Sequence, residues 1–139
     1  MIVQGQTAIF KQNLLSGLEN FAVGTPYVYK IALYTATADL NAATLIYTTL
    51  NEVVGTGYVA GGEILTPIVP ARSGSTAYVS FDNAIWLASS FLCRGALIYN
   101  STTNAAVAVL DFGADKTASG TFTVTFPPAT ATTAVIRLS

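Results

Sequence analysis

The side chains able to do chemistry in this chain are few. They amount to seven carboxylates, one thiol at Cys93 and a large number of hydroxyls, with no histidine anywhere. Without an imidazole, the Ser-His and Cys-His nucleophile pairs, the commonest general base and most zinc sites are excluded together. Glu52 and Glu63 flank a glycine-rich stretch, and Asp111 and Asp115 flank a turn. Two carboxylates are what glycoside hydrolysis requires, and loss of activity on changing Glu52 or Glu63 to Gln would reveal a carboxylate-based hydrolase. The reading adopted is that these acids are solvated turn and loop residues. Two carboxylates near one turn supply fewer oxygens than calcium takes, so no metal is expected. Cys93 lies in the apolar run Phe91-Leu92-Cys93 and has no second cysteine to pair with. A reactive thiolate wants a cationic, partly exposed setting, and Arg94, one residue along a strand, points to the opposite face. A buried structural thiol is expected.

Two short motifs invite a functional reading and do not sustain it. Asp111-Phe112-Gly113 spells the magnesium motif of protein kinases, but the lysine strand, the catalytic loop and the necessary length are missing; Gly113 is expected to let the chain turn after a strand. Gly55-Thr56-Gly57-Tyr58-Val59-Ala60-Gly61-Gly62 spaces its glycines as G-x-G-x-x-x-G. It neither follows a convincing strand nor opens a helix, so it is no dinucleotide or phosphate loop but a mobile or surface-hugging one. No catalytic, cofactor-binding or metal-binding residue is expected, and the chain is not expected to be an enzyme.

The elements that would position these residues are mostly strands. One helix is expected, over about residues 8–22. Phe10, Leu14, Leu18 and Phe21 recur at helical spacing with Leu15 broadening the stripe, Thr7 serves as N-cap, and Gly24 with Pro26 stops it. It either plugs one end of the sheets, the favoured role, or acts as a docking arm. From about residue 27 onward the chain reads as strands. Residues 28–35, 63–69, 76–82, 95–99, 105–112, 121–126 and 134–138 are rich in β-formers, and Phe122, Val124 and Phe126 alternate with Thr121, Thr123 and Thr125. The polar run Asn100-Ser101-Thr102-Thr103-Asn104 has the length of a hairpin loop. Trp86 anchors either the core or a subunit contact. Residues 36–62 form a long excursion of weak periodicity, and such excursions in compact domains serve function or interfaces. With no repeat and no linker, residues 1–139 are expected to fold as one domain, an antiparallel β-sandwich or jelly roll with one N-terminal helix.

Composition narrows the setting. Hydrophobic residues make up 52% of the chain and charged ones 9%, against roughly 25% charged in an ordinary soluble domain. Either Thr, Ser, Asn and Ala tile the surface, or much of that surface is covered by copies of the chain or by partners. The six basic residues are scattered and the net charge is −1, whereas phosphate-backbone binding needs clustered Lys and Arg; nucleic acid is not an expected partner. No segment approaches the roughly 18 apolar residues of a membrane span, and residues 1–12 lack the basic start and apolar stretch of a signal peptide, so synthesis in the cytoplasm is expected.

Four stretches resemble a family of small virion structural proteins from tailed bacteriophages. They are Phe10-Lys11-Gln12-Asn13-Leu14-Leu15-Ser16-Gly17; Tyr29-Lys30-Ile31-Ala32-Leu33-Tyr34-Thr35; Asn51-Glu52-Val53-Val54-Gly55-Thr56-Gly57-Tyr58-Val59-Ala60-Gly61-Gly62; and Arg94-Gly95-Ala96-Leu97-Ile98-Tyr99-Asn100 continuing through Ala106-Val107-Ala108-Val109-Leu110-Asp111-Phe112-Gly113-Ala114-Asp115-Lys116. The resemblance implies a capsid decoration or cement protein that bridges capsid subunits, with the major capsid protein and further copies of itself, as dimer or trimer, for partners. It carries no catalytic motif to transfer. Interface residues would be aromatic and apolar groups on loops, and Tyr47, Tyr58 and Trp86 are the candidates. A tail or fibre domain stacking exposed tyrosines and Trp86 on a host surface glycan is the alternative from a different class.

Overall fold

The computed structural model describes all residues, Met1–Ser139. In chain order its elements are β1 (Gly5–Gln6), α1 (Ala8–Leu15), β2 (Tyr29–Tyr34), β3 (Glu63–Ile64), β4 (Ala71–Ser73), β5 (Thr76–Val79), β6 (Ala84–Asn100), β7 (Ala105–Val124) and β8 (Ile136–Leu138). Five strands form one antiparallel sheet in the order β1-β7-β6-β2-β3, and three form a second in the order β4-β5-β8. The mostly β architecture with two antiparallel sheets and one short helix is the fold class expected, a β-sandwich arrangement.

The helix begins where expected and ends early. Thr7 is extended (φ −80°, ψ 152°), and its hydroxyl accepts from the Phe10 N–H, satisfying a donor that the first turn would otherwise leave orphaned. The same hydroxyl donates to the Ala106 carbonyl at 3.1 Å, which ties the cap to β7. The apolar stripe pointed to a helix reaching residue 22, but the helix stops at Leu15. Gly17 takes φ +72°, the Leu18 N–H donates back to Asn13 O at 2.8 Å and the Gly17 N–H to Leu14 O at 3.3 Å. That pattern is a Schellman cap, which glycine permits without a Cβ clash. Leu15, expected to broaden the buried stripe, is 93% exposed as a result, while Phe10 and Phe21 remain in the core.

The long hairpin of β6 and β7 dominates the molecule. The stretches expected as three separate strands, 95–99, 105–112 and 121–126, fall within two long ones, of 17 and 20 residues, because bulges bend them instead of ending them. Register shifts occur between Trp86 and Ser89, between Cys93 and Gly95, and between Ile98 and Tyr99. Each extra residue reverses the side-chain alternation. Trp86, Phe91, Cys93, Ala96 and Ile98 all therefore reach the larger core cluster despite their uneven spacing. Gly113, expected at a turn, has φ +80° within β7 and marks such an irregularity. Conversely, of residues 63–69 only Glu63–Ile64 pair as a strand, with Pro67 bridging Phe81 beyond them.

The core lies on both faces of the larger sheet. Between the sheets, Tyr29, Ile31 and Leu33 of β2 meet Val79, Phe81 and Ile136. On the opposite face Ala32, Tyr34, Leu97, Tyr99 and Val109 pack with Ile2, Ala38 and Leu40. Strands buried on both faces read as near-continuous apolar runs, which is how Ile31-Ala32-Leu33-Tyr34 and Ala96-Leu97-Ile98-Tyr99 stand in the sequence.

Candidate functional site

The excursion over residues 36–62 is held down at closely spaced points. The Thr35 N–H donates to Asn51 O at 3.0 Å, and the Val53 N–H to Leu33 O at 2.9 Å. The Tyr34 hydroxyl donates to Thr48 O at 2.6 Å. At its centre Glu52, 7% exposed, accepts from the Tyr47 hydroxyl at 2.6 Å through Oε1. Through Oε2 it accepts from the Tyr58 hydroxyl at 2.5 Å and the Gly61 N–H at 2.8 Å. Tyr58 in turn accepts from the Leu33 N–H of β2, and Tyr99 of β6 donates to Gly61 O while its ring stacks on Tyr47 at 4.6 Å. One carboxylate thus joins three parts of the loop, and its tyrosine partners join the loop to the sheet.

The electrostatics of this cluster keep its phenols protonated. Burial raises the pKa of Tyr34, Tyr47 and Tyr58 far above the ordinary phenol value. Tyr99 is pushed up to about 12 by burial, with the charge of Glu52 adding to it. All four hydroxyls remain protonated donors at neutral pH, and both Glu52 oxygens already accept. Glu63, by contrast, is exposed on β3. Asp111 is held below the usual carboxylate range by the Gly113 N–H and by Arg94, whose Nε lies 3.4 Å away. Cys93 is fully buried, and burial drives its thiol up to about 12, which removes the thiolate at neutral pH.

The glycine-rich stretch hugs the sheet. The Ser90 N–H of β6 donates to Thr56 O at 2.9 Å. A Cβ on Gly57 would stand 2.7 Å from Ser89 Cα, and one on Gly55 2.7 Å from Ser90 O. Only glycine permits this approach, and Gly57 also requires its φ of +78°.

The three aromatic interface candidates fare differently. Trp86 is 1% exposed in the main core against Phe122, and Tyr58 is 9% exposed beside it. Both are interior, so neither offers a ring face to a partner or a sugar. This departs from the expectation of an aromatic loop interface, because β6 and the glycine stretch fold these rings inward. Tyr47 is half-buried, with its hydroxyl committed to Glu52. What the excursion does present is aliphatic: Leu45, Ile46, Leu50, Val54 and Val59 are each more than half exposed, Val54 at 95%. The outer face of the hairpin adds Ile85, Leu87 and Leu92. The weak periodicity of residues 36–62 points to an interface in that excursion without singling out its aliphatic side chains, and the hairpin residues lie outside it.

Two hollows mark the surface beside the sheets. An open cleft of about 820 Å³ runs between the β1–β7 edge and the C-terminal segment, lined among others by Gln4, Gln6, Lys11 and Arg137. A smaller apolar hollow of about 160 Å³ lies between α1 and the second sheet, against Phe10, Leu14 and Val79. No grouping of three or more metal-ligating side chains occurs, and no helix is long and apolar enough to cross a membrane. No protein family, curated protein or solved structure matches the chain.

Proposed function

We propose that this chain is a structural component of a bacteriophage particle, a capsid decoration or cement protein that stabilises the shell by bridging capsid subunits. The observation that carries the reading is the set of exposed aliphatic side chains on the 36–62 excursion, pinned by Glu52 and its tyrosines. A loop that displays Leu, Ile and Val while being pinned at its base loses little conformational freedom when a partner covers it, and such preorganisation favours binding. Large apolar patches on soluble proteins mark contact surfaces. The four stretches resembling tailed-phage virion proteins supply the kind of assembly, and the major capsid protein is the partner they imply. The interface is accordingly assigned to Leu45, Ile46, Leu50, Val54 and Val59 in place of Trp86 and Tyr58.

Particle mapping tests this directly. Purified virions are imaged and the copies of this chain per particle are counted against the major capsid protein. A copy number on the scale of the capsid subunits, with density over capsomer junctions, supports the reading. A handful of copies at the tail, or absence from particles, overturns it. In the tail case, binding of the recombinant chain to a glycan panel would establish the adhesin alternative.

A further inference from the structure

Beyond the turn-proximal part of the hairpin, β7 has an open side. β1 pairs only with Ala108 and Val109. The next outward donor, the Asp111 N–H, is satisfied by the Gln4 side chain at 3.1 Å, and the Gly113 N–H by Asp111 Oδ1 at 2.9 Å. From Asp115 to Ser119 no strand, bridge or loop lies on that edge. The opposite edge of the ribbon differs, because there the glycine stretch covers β6 through the bond from Ser90 to Thr56.

That one bond settles which groups are free. Residues opposite one another in an antiparallel ladder turn their backbone groups either toward each other or both away. Ser90 points its N–H away from β7, so Ser119, its opposite number, points its own N–H and C=O outward. Thr117, opposite Leu92 and two residues along, does the same. Both side chains are exposed. An edge with aligned, unsatisfied donors and acceptors is a template for another strand.

We infer that a second copy of this chain occupies the edge, pairing β7 against β7 antiparallel about a two-fold axis at Thr117. The identity of the partner follows from self-complementarity and charge. A two-fold axis at Asp115 or Lys116 would set like charges directly opposite, which is destabilising. An axis at Ala118 would bring Gly120, with its φ of +99°, into the paired stretch. An axis at Thr117 sets Thr117 against its copy, Asp115 against Ser119 and Lys116 against Ala118, with no like charges opposed. The outward groups of Thr117 then exchange a pair of backbone hydrogen bonds with its copy, and Ser119 stands opposite Asp115 on either side of the axis. The two ribbons continue as one four-stranded sheet, and the exposed Leu92 of each copy falls on the same face near the axis. Such an interface is isologous and closes at two copies. The inference stands on this edge alone, independent of where in a particle the chain resides.

Sedimentation of the full chain and two charge variants tests it. The wild type is expected at the mass of two copies of the 14.5 kDa chain. Thr117→Lys and Thr117→Asp each place like charges at the axis and should weaken the dimer at least about tenfold, leaving monomers. Since Thr117 is exposed, both variants are expected to keep the fold, to be checked by circular dichroism. An equimolar mixture should sediment as a dimer again, and hydrogen exchange should show Thr117 and Ser119 amides protected in the wild type and unprotected in either variant alone. A monomeric wild type, a dimer indifferent to both substitutions, or a mixture that stays monomeric would each overturn the inference. None of these outcomes bears on the copy number in virions, so the particle reading stands or falls separately.

Discussion

The β6–β7 hairpin is one pair of strands in two kinds of company. Near its turn, Ala96, Leu97 and Ile98 and, across the ladder, Ala106, Val107 and Val109 are fully buried, because residues of the second sheet cover one face and Ile2, Ala38 and Leu40 the other. Farther out, the same strands keep Trp86, Phe91 and Cys93 inside while Ile85, Leu87 and Leu92 face out, Leu87 at 70% exposure. In the first region apolar side chains are spent on the chain's own core. In the second, equally apolar side chains stand on a face that nothing in the chain covers. Hydrophobicity is therefore informative about function here only where topology leaves it unpartnered.

This contrast can be attacked at several places, beginning with the largest effect. Glu52→Ala removes the acceptor of three donors and leaves the Tyr47 and Tyr58 hydroxyls and the Gly61 N–H without a partner. A loss of about 4 kcal/mol is expected, read by urea denaturation. A loss below about 1 kcal/mol would mean that the excursion is not pinned through this carboxylate. Leu97→Ala, in the doubly covered region, should cost about 3 kcal/mol by leaving a cavity. Gly57→Ala sets a methyl against Ser89 Cα and forces alanine into φ +78°, for about 2 kcal/mol; faster exchange of the Ser90 amide would show the glycine stretch lifting off β6.

The pH dependence of stability sharpens the covered side. Glu19 is buried and accepts from the Tyr29 hydroxyl, and burial raises its pKa above the ordinary glutamate value. The folded state thus binds the proton more tightly than the unfolded one. Its contribution to stability is full below about pH 4.5 and is lost as pH rises through the folded pKa. Glu19→Gln should flatten that decline, and a wild-type slope unchanged by the substitution would refute it. The smallest effect belongs to the bare face: Leu92→Ala should change monomer stability by about 0.5 kcal/mol or less. A cost matching that of Leu97→Ala would erase the distinction between the two regions.

Much of the fold is legible in the residues. The hairpin loop over residues 100–104 and the alternation of Phe122, Val124 and Phe126 are local patterns, and both are found. The start of α1 is written in Thr7, and even its end stands in Gly17, although the apolar stripe beyond argued for a longer helix; a Schellman glycine outweighs periodicity because it redirects the backbone itself. The candidate site was far less legible. Glu52 looked like a loop acid because its three donors lie five, six and nine residues away along the chain, at distances no period relates. Trp86 and Tyr58 looked like interface aromatics because sequence shows size and greasiness but not what lies on top.

By itself the sequence determined the β character of the chain, the turns and the poverty of reactive groups, since these depend on side-chain type and short-range spacing. Only the tertiary structure decided that Glu52 is a hub, that Trp86 and Tyr58 are interior, and that the aliphatic side chains of the 36–62 excursion and the β7 edge over residues 115–119 are left uncovered. Burial and edge pairing are properties of long-range neighbours, and a neighbour is set by how strands pair across the sheet, not by the residue that receives it.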